Sequence, residues 1–247
     1  MRCIAVNTIK FDKKNVKTVA HRGLSGLEKE NTNAAFVAAG NRSYYGIETD
    51  VHKTADGRFV VIHDNTPERI TDGRETVNIE KGNYSDFKDI ILPDIDGKYD
   101  RTDIRIPLLC EYVRICKKYE KKCVLELKQD FSTEDLKEII DILKAEDYLE
   151  NVIFISFFMS DCIRLRPLVP DNDIQFLTSE EVTDELIENL LEHKLNLDIY
   201  FSRLNKETVD NLHSKGILVN CWTVNKKQDG EALSEMGIDF ITTNILE

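Results

Sequence analysis

The sequence predicts a (β/α)8 barrel with a small insertion after its second strand, and three observations lead there. Eight β-prone segments alternate with helical stripes along the chain. The length of 247 residues is common for such barrels and supports a full core without staples. One polar stretch, 67–105, interrupts an otherwise regular alternation.

The β-prone segments are 18–21, 46–50, 122–128, 152–157, 173–177, 197–201, 217–223 and 239–243. Eight parallel strands close a barrel of this kind. The first helix opens at Glu30-Asn31-Thr32, where Asn31 is a natural N-cap. After the second strand, Asp56-Gly57 signals a tight hairpin with β-formers on both sides, and a turn centred there sets Asp50 opposite His63. The polar run that follows is rich in Asp, Gly and Asn; 65–106 is expected as an insertion subdomain within a single domain spanning 1–247. A second helix covers 108–119. Ser132 caps a third, whose Leu136, Ile139, Ile140 and Leu143 form one buried stripe. Val182, Leu186, Leu190 and Leu191 repeat that logic after Ser179. Asn205 starts a helix bearing Val209 and Leu212 and stopped by Gly216, and 226–236 ends similarly at Gly237.

Whole-chain properties narrow the function. A net charge of −12 argues against nucleic acid and against electrostatic docking on anionic membranes. Six scattered cysteines, with no Cys-x-x-Cys pair, read as reduced thiols and argue against a zinc site. The first ten residues lack the apolar core of a signal peptide, and no run approaches the roughly 20 apolar residues that span a bilayer. These features predict a cytoplasmic protein without stable membrane insertion.

The chemistry concentrates at the C-terminal ends of the strands, where barrels of this kind place their sites. Glu48 and Asp50 stand two apart and leave the same face of one strand, while Glu126 ends the next. Three carboxylates at adjacent strand ends repel one another without a cation, and three oxygen donors suit Mg²⁺ or Ca²⁺. The bland alternative is a set of solvated carboxylates. His21 and His63 flank this cluster, and imidazole suits proton transfer in either direction at neutral pH. Arg22 and Lys128 supply positive charge, and Lys128 shares a strand face with Glu126. Trp222, the only tryptophan, falls late in the seventh strand. His52 has the parity of Glu48 and Asp50 but sits up the hairpin, which predicts surface placement; His193 and His213 fall on helices. Asp94-Ile95-Asp96-Gly97 lacks the remaining ligands of a calcium loop and reads as a solvated turn.

Seven motifs in order resemble a known family: His21-Arg22-Gly23, Glu30-Asn31-Thr32, Glu48-x-Asp50-Val51, Thr54-x-Asp56-Gly57, Val60-Val61-x-His63-Asp64, Glu126-Leu127-Lys128 and Trp222-Thr223-Val224-Asn225. They are similar to those of the glycerophosphodiester phosphodiesterases, in the PLC-like phosphodiesterase barrel superfamily, and they span nearly the whole chain. The resemblance implies divalent-metal-dependent cleavage of a small-molecule glycerophosphodiester to sn-glycerol 3-phosphate and a free alcohol, a reaction of lipid and glycerol metabolism. It implies Glu48, Asp50 and Glu126 as metal ligands and Arg22 and Lys128 as phosphoryl contacts. By likeness to the related phosphatidylinositol-specific phospholipases C, His21 is the base and His63 the acid; Asp64 either orients His63 or simply ends the strand. It also implies that Glu30 and Asn31 line the site and that Trp222 forms a wall for the glycerol group. Attack on phosphorus by the glycerol 2-hydroxyl or by water both remain open.

Three rivals stand beside this reading. A lysophospholipase D acting on lipid-linked glycerophosphate requires an apolar groove leading from the pocket. The lyase-type phospholipase D of secreted toxins is usually disulfide-bonded and exported, and neither property is suggested here. A catalytically silent binding barrel is expected to lose a ligand or a histidine. One departure bears on substrate fit: many members end in Thr-Asp followed shortly by Pro, whereas this chain reads Ile241-Thr242-Thr243-Asn244-Ile245-Leu246-Glu247.

Overall fold

Eight parallel strands close on themselves in the structure, a computed structural model that describes residues 7–247. They are β1 (Lys17–Ala20), β2 (Gly46–Lys53), β4 (Lys122–Leu127), β5 (Val152–Ser156), β6 (Asp173–Thr178), β7 (Asn196–Tyr200), β8 (Val219–Trp222) and β9 (Phe240–Thr243). Closure comes from β1, which pairs in parallel with both β2 and β9. The ninth strand, β3 (Phe59–Val61), turns back antiparallel on the outer end of β2. The barrel interior is filled by Val19, Val124, Ile153, Ile155, Leu177 and Phe240, a small cluster separate from the larger core between sheet and helices.

Helices follow the strands: α1 (Asn33–Gly40), α2 (Leu109–Lys118), α3 (Thr133–Ala145), α4 (Met159–Leu165), α5 (Asp184–Glu192), α6 (Lys206–Ser214) and α7 (Lys227–Met236). Ser132 and Asn205 cap α3 and α6 through their side chains, and Gly237 ends α7 at φ +83°. Two expected caps are displaced. Thr32, not Asn31, caps α1 by accepting from the Ala35 amide, because Asn31 has a left-handed backbone (φ +54°) and spends its side chain elsewhere. Thr183, not Ser179, caps α5; Ile187 and Leu190 form its buried stripe, and Leu191 is exposed. The short α4 lies in a stretch where no helix is expected from the sequence.

The hairpin register also differs from expectation by one residue. Val51 pairs with Val61, which places Asp50 opposite Ile62 rather than His63. Thr54 and Arg58 close a three-residue loop whose last member, Gly57, takes the left-handed conformation (φ +76°), so the turn centres on Asp56 alone.

Beyond β3 the chain leaves the barrel until α2. This excursion has two 3-10 turns, Arg69–Thr71 and Tyr84–Asp86, and an apolar cluster of its own that includes Ile70, Ile79, Phe87, Leu92, Ile104 and Ile106. Asp94–Lys98 is a hydrogen-bonded turn, as its sequence suggests. Cys110, Cys116, Cys123, Cys162 and Cys221 are unpaired thiols; Cys3 lies outside the described residues. Among the described residues no helix is long and apolar enough to cross a membrane.

Candidate active site

The site grows from the parallel pairing of β2 with β4. Their register puts Asp50 beside Glu126, and the two-residue repeat of β2 puts Glu48 one step below on the same face. All three carboxylates are buried, and one oxygen from each lies within 4.8 Å of the others. Burial, then the Asp50 and Glu126 charges, push the Glu48 carboxyl well above the ordinary range. Burial and the Asp50 charge likewise push Glu126 up to about 7, against the pull of Lys128. Burial acts on Asp50 in the same direction, but Arg22, Lys128 and His63 outweigh it and hold that carboxyl below its usual range. Glu48 Oε1 and Asp50 Oδ1 are buried and have no hydrogen-bond partner. Unpartnered carboxylate oxygens in a dry cluster are costly unless a cation takes them. The donor set therefore fits a hard divalent ion.

The loop after β1 supplies the cationic edge. Arg22 adopts a left-handed backbone (φ +53°) that turns its amide onto Glu48 Oε2 at 2.7 Å. A residue other than glycine in that conformation stores about 1–2 kcal/mol, the kind of strain that collects at functional sites. Gly23 follows at φ +75°, where a Cβ would meet Ala35 at 2.7 Å, so the position admits only glycine. Arg22 Nη1 donates to Glu30 Oε1 at 2.9 Å and its Nε lies 3.5 Å from Asp50 Oδ2. Opposite, Lys128 Nζ donates to Glu126 Oε1 at 2.6 Å and stands 3.6 Å from Asp50 Oδ1.

The two histidines sit on opposite loops. His21 Nδ1 donates to the Asn244 side-chain carbonyl at 2.7 Å, which Ser25 Oγ also contacts, so its Nε2 carries the lone pair and lies 4.0 Å from Glu48 Oε2. Burial, then the Arg22 charge, pull the His21 ring down to about 4, so it is neutral at pH 7. His63 Nδ1 donates to Asp64 Oδ1 at 2.6 Å. Burial lowers His63 too, with Asp50 and the Asp64 hydrogen bond opposing.

His21, Arg22, Glu48, His63, Glu126 and Trp222 line a cavity of about 200 Å³. Wider depressions elsewhere, such as one of about 480 Å³ beside Lys144 and Asn172, hold no comparable chemistry. Trp222 stands at the mouth with ring centroids 5.6 Å from both Phe157 and Tyr200. Glu30 and Asn31 stand behind the cavity wall. Two guanidinium groups occupy the Glu30 carboxylate, while the Asn31 amide donates to Asp50 Oδ2 (2.7 Å) and its carbonyl accepts from Thr49 (2.8 Å).

Four residues at the site escaped the sequence reading. Asp198, buried on β7, lines the cavity with an unpartnered Oδ1; a lone aspartate between Leu197 and Ile199 was its sequence signal. Asn244 lies in the terminal segment noted as a departure from the family pattern, with no role assigned to it, and Arg69 opens a short 3-10 turn in a stretch that carried no motif. His52 is buried rather than on the surface, its ring held between the His63 carbonyl and Glu80, because the excursion after β3 folds over the hairpin. His213 is remote from the cavity and bonds Asp239.

Paired imidazoles, paired cations and a buried carboxylate triad at a barrel mouth define a phosphodiester-cleaving enzyme of the barrel class. Residues 21–247 match the model of the glycerophosphoryl diester phosphodiesterase family. The chain belongs to that family and is a phosphodiesterase, a hydrolase. It is 30% identical over 235 residues to YhdW of Bacillus subtilis (strain 168), covering 92% of this chain and 93% of that one. It is 29% identical to a glycerophosphodiester phosphodiesterase of Caldanaerobacter subterraneus subsp. tengcongensis, over 92% and 93%. Among solved structures, an Oleispira antarctica phosphodiesterase in complex with the product sn-glycerol-3-phosphate superposes with a TM-score of 0.83 at 25% identity, over 96% of both chains. A Parabacteroides distasonis glycerophosphodiester phosphodiesterase gives 0.77 at 28%, over 93% of both.

Proposed function

We propose that this barrel hydrolyses glycerophosphodiesters to sn-glycerol 3-phosphate and an alcohol, with a divalent cation, Mg²⁺ or Ca²⁺, held by Glu48, Asp50 and Glu126. The observation that carries the reading is the carboxylate triad within 4.8 Å, flanked in one cavity by His21, His63 and Arg22. Bound there, the cation supplies positive charge to a phosphoryl oxygen. Arg22 and Lys128 add charge on either side of that oxygen, where negative charge grows as phosphorus is attacked. Neutral His21, its Nδ1–H tied to Asn244, takes the proton of the attacking hydroxyl on Nε2. His63 acts in its imidazolium form: Nδ1–H stays tied to Asp64, and Nε2 gives its proton to the departing alcohol oxygen, which leaves the ring neutral. Glu30 and Asn31 serve the substrate indirectly, by holding Arg22 and Asp50. Trp222 forms the wall for the glycerol group. We take 65–106 as an inserted subdomain of one domain spanning 1–247, and the protein as a cytoplasmic enzyme of lipid and glycerol metabolism acting on small molecules rather than nucleic acid.

One observation favours a second substrate. Phe157, Phe158 and Tyr200 are exposed, and Phe157 and Tyr200 pack against Trp222, which gives an apolar path out of the cavity for a lysophospholipid chain. The test is release of sn-glycerol 3-phosphate from glycerophosphocholine, glycerophosphoethanolamine and lysophosphatidic acid's choline ester, each with Mg²⁺, Ca²⁺ and chelator, with lysophosphatidic acid as the product assayed for the last. Metal-dependent release from the first two, abolished in His21→Ala and Glu126→Ala, is expected. Turnover of the lysophospholipid alone moves the enzyme to the second reading; turnover of none by the folded, metal-loaded protein rejects both.

A further inference from the structure

Two polar links run from the excursion after β3 to His63, and the chemistry above uses only the last step of the first, from Asp64 to His63. The first reaches its side chain. Arg69 Nε donates to Asp64 Oδ2 at 2.5 Å, and Asp64 Oδ1 accepts from His63 Nδ1 at 2.6 Å. The same guanidinium grips Glu30 with both terminal nitrogens, at 2.9 and 2.8 Å, and Glu30 accepts from Arg22. The second link reaches the backbone. His52 Nε2 donates to the His63 carbonyl at 3.2 Å, while its Nδ1 faces Glu80 Oε1 at 3.2 Å.

His63 needs such support. It lies beyond Val61, the last residue of β3, so no strand pairing fixes it, and its side chain is 31% exposed. A proton donor must nevertheless sit within hydrogen-bond reach of the leaving oxygen, and a misplacement of about 1 Å can cost 10²-fold in rate. Charge-assisted and forked hydrogen bonds are the contacts that fix direction best, and Arg69 makes both kinds.

We propose that the segment after β3 is a clamp for His63: Arg69 is a positioning residue acting through Asp64, and Glu80 is a second acting through His52. The inference rests on His63 giving the proton to the leaving alcohol. It assigns a catalytic purpose to an excursion otherwise held by its own apolar cluster and by contacts to the hairpin and to Glu28. A merely structural Arg69 would staple the loop and affect all substrates alike.

Leaving-group dependence separates the two. As the P–O bond breaks, choline oxygen must receive a proton, whereas p-nitrophenolate departs with little help. The readout is the ratio of kcat on glycerophosphocholine to kcat on the glycerophosphodiester of p-nitrophenol, in which general folding and phosphate-binding defects cancel. In Arg69→Met the ratio should fall about tenfold or more, within the range that acid catalysis contributes, with KM changed less than about threefold. Arg69→Lys, which keeps charge but not the fork, should fall between. Adding Asp64→Asn to Arg69→Met should lower the ratio little further, since both act on one link. Glu80→Ala, which removes the contact to His52 and leaves the Arg69 network intact, should also lower it and serves if Arg69→Met does not fold. A wild-type ratio in folded Arg69→Met or, failing that variant, in Glu80→Ala overturns the clamp. If wild type cleaves neither diester, the proposed function has failed instead. The clamp is then judged from the ¹⁵N resonances of the His63 ring in histidine-labelled protein. Shifted or broadened resonances in the variants support it, and unchanged ones overturn it.

Discussion

Glu30 shows how one carboxylate can serve a site without facing the substrate. Burial raises its pKa, but the hydrogen bonds and charges of Arg69 and Arg22 prevail and hold it down to about 2. Because the folded value lies below the ordinary value of 4.5, Glu30 contributes stability above pH 4.5, and that contribution disappears as pH falls through 2. Glu30→Gln should therefore be less stable than wild type at pH 7, by about 1–3 kcal/mol for a lost charged hydrogen-bond set, with the gap closing between pH 4.5 and 2 in urea unfolding. A pH-independent gap would contradict this account. Gly23→Ala should cost more than about 1 kcal/mol, since both its φ of +75° and the 2.7 Å approach to Ala35 oppose a side chain; a Tm within a degree of wild type would contradict it. Glu48 and Asp50 were legible because a two-residue spacing fixes a strand face, Glu126 because it ends the next strand, and the two histidines because they stand in motifs beside those strand ends. Arg69 and Asn244 were not, because their contacts to Glu30 and His21 join residues 39 and 223 apart and depend on where irregular chain happens to return.

At the scale of elements, the largest surprises came from exchanges of one residue. Asp56-Gly57 reads equally well as a two-residue turn and as the end of a three-residue loop, and the difference slides His63 past the strand end. Asn31 and Thr32 are both good caps; the choice fell to Thr32 because Asp50, 19 residues away, claims the Asn31 amide. Thr32→Ala should thus destabilise by about 1 kcal/mol and lower Tm by about 2–4 °C without altering KM, which differential calorimetry with steady-state kinetics checks. An equal loss in Asn31→Ala confined to stability, with kcat intact, would reverse the assignment. The α4 helix was hidden because it is only 7 residues long and its buried stripe includes Asp161, a polar residue that accepts from the Phe131 amide. Apolar periodicity finds no helix there.

The whole molecule sets a closed parallel barrel, readable from eight alternating segments, against an excursion whose place in the chain was readable and whose internal packing was not. The barrel concentrates three buried carboxylates at one mouth, and their proposed cation carries the rest of the argument. A ligand that binds only the folded state stabilises it by about 2.7 kcal/mol at a hundred times its Kd. Mg²⁺ or Ca²⁺ should therefore raise Tm in wild type and leave it unmoved in Glu126→Ala. The most direct measurement is a calorimetric titration of chelator-treated protein with each ion, run beside glycerol 3-phosphate release from glycerophosphocholine. The account predicts that wild type binds one ion per chain, that release rises with occupancy, and that Glu48→Gln, Asp50→Asn and Glu126→Gln lose both together. Release that proceeds undiminished in wild type with no ion bound would contradict it.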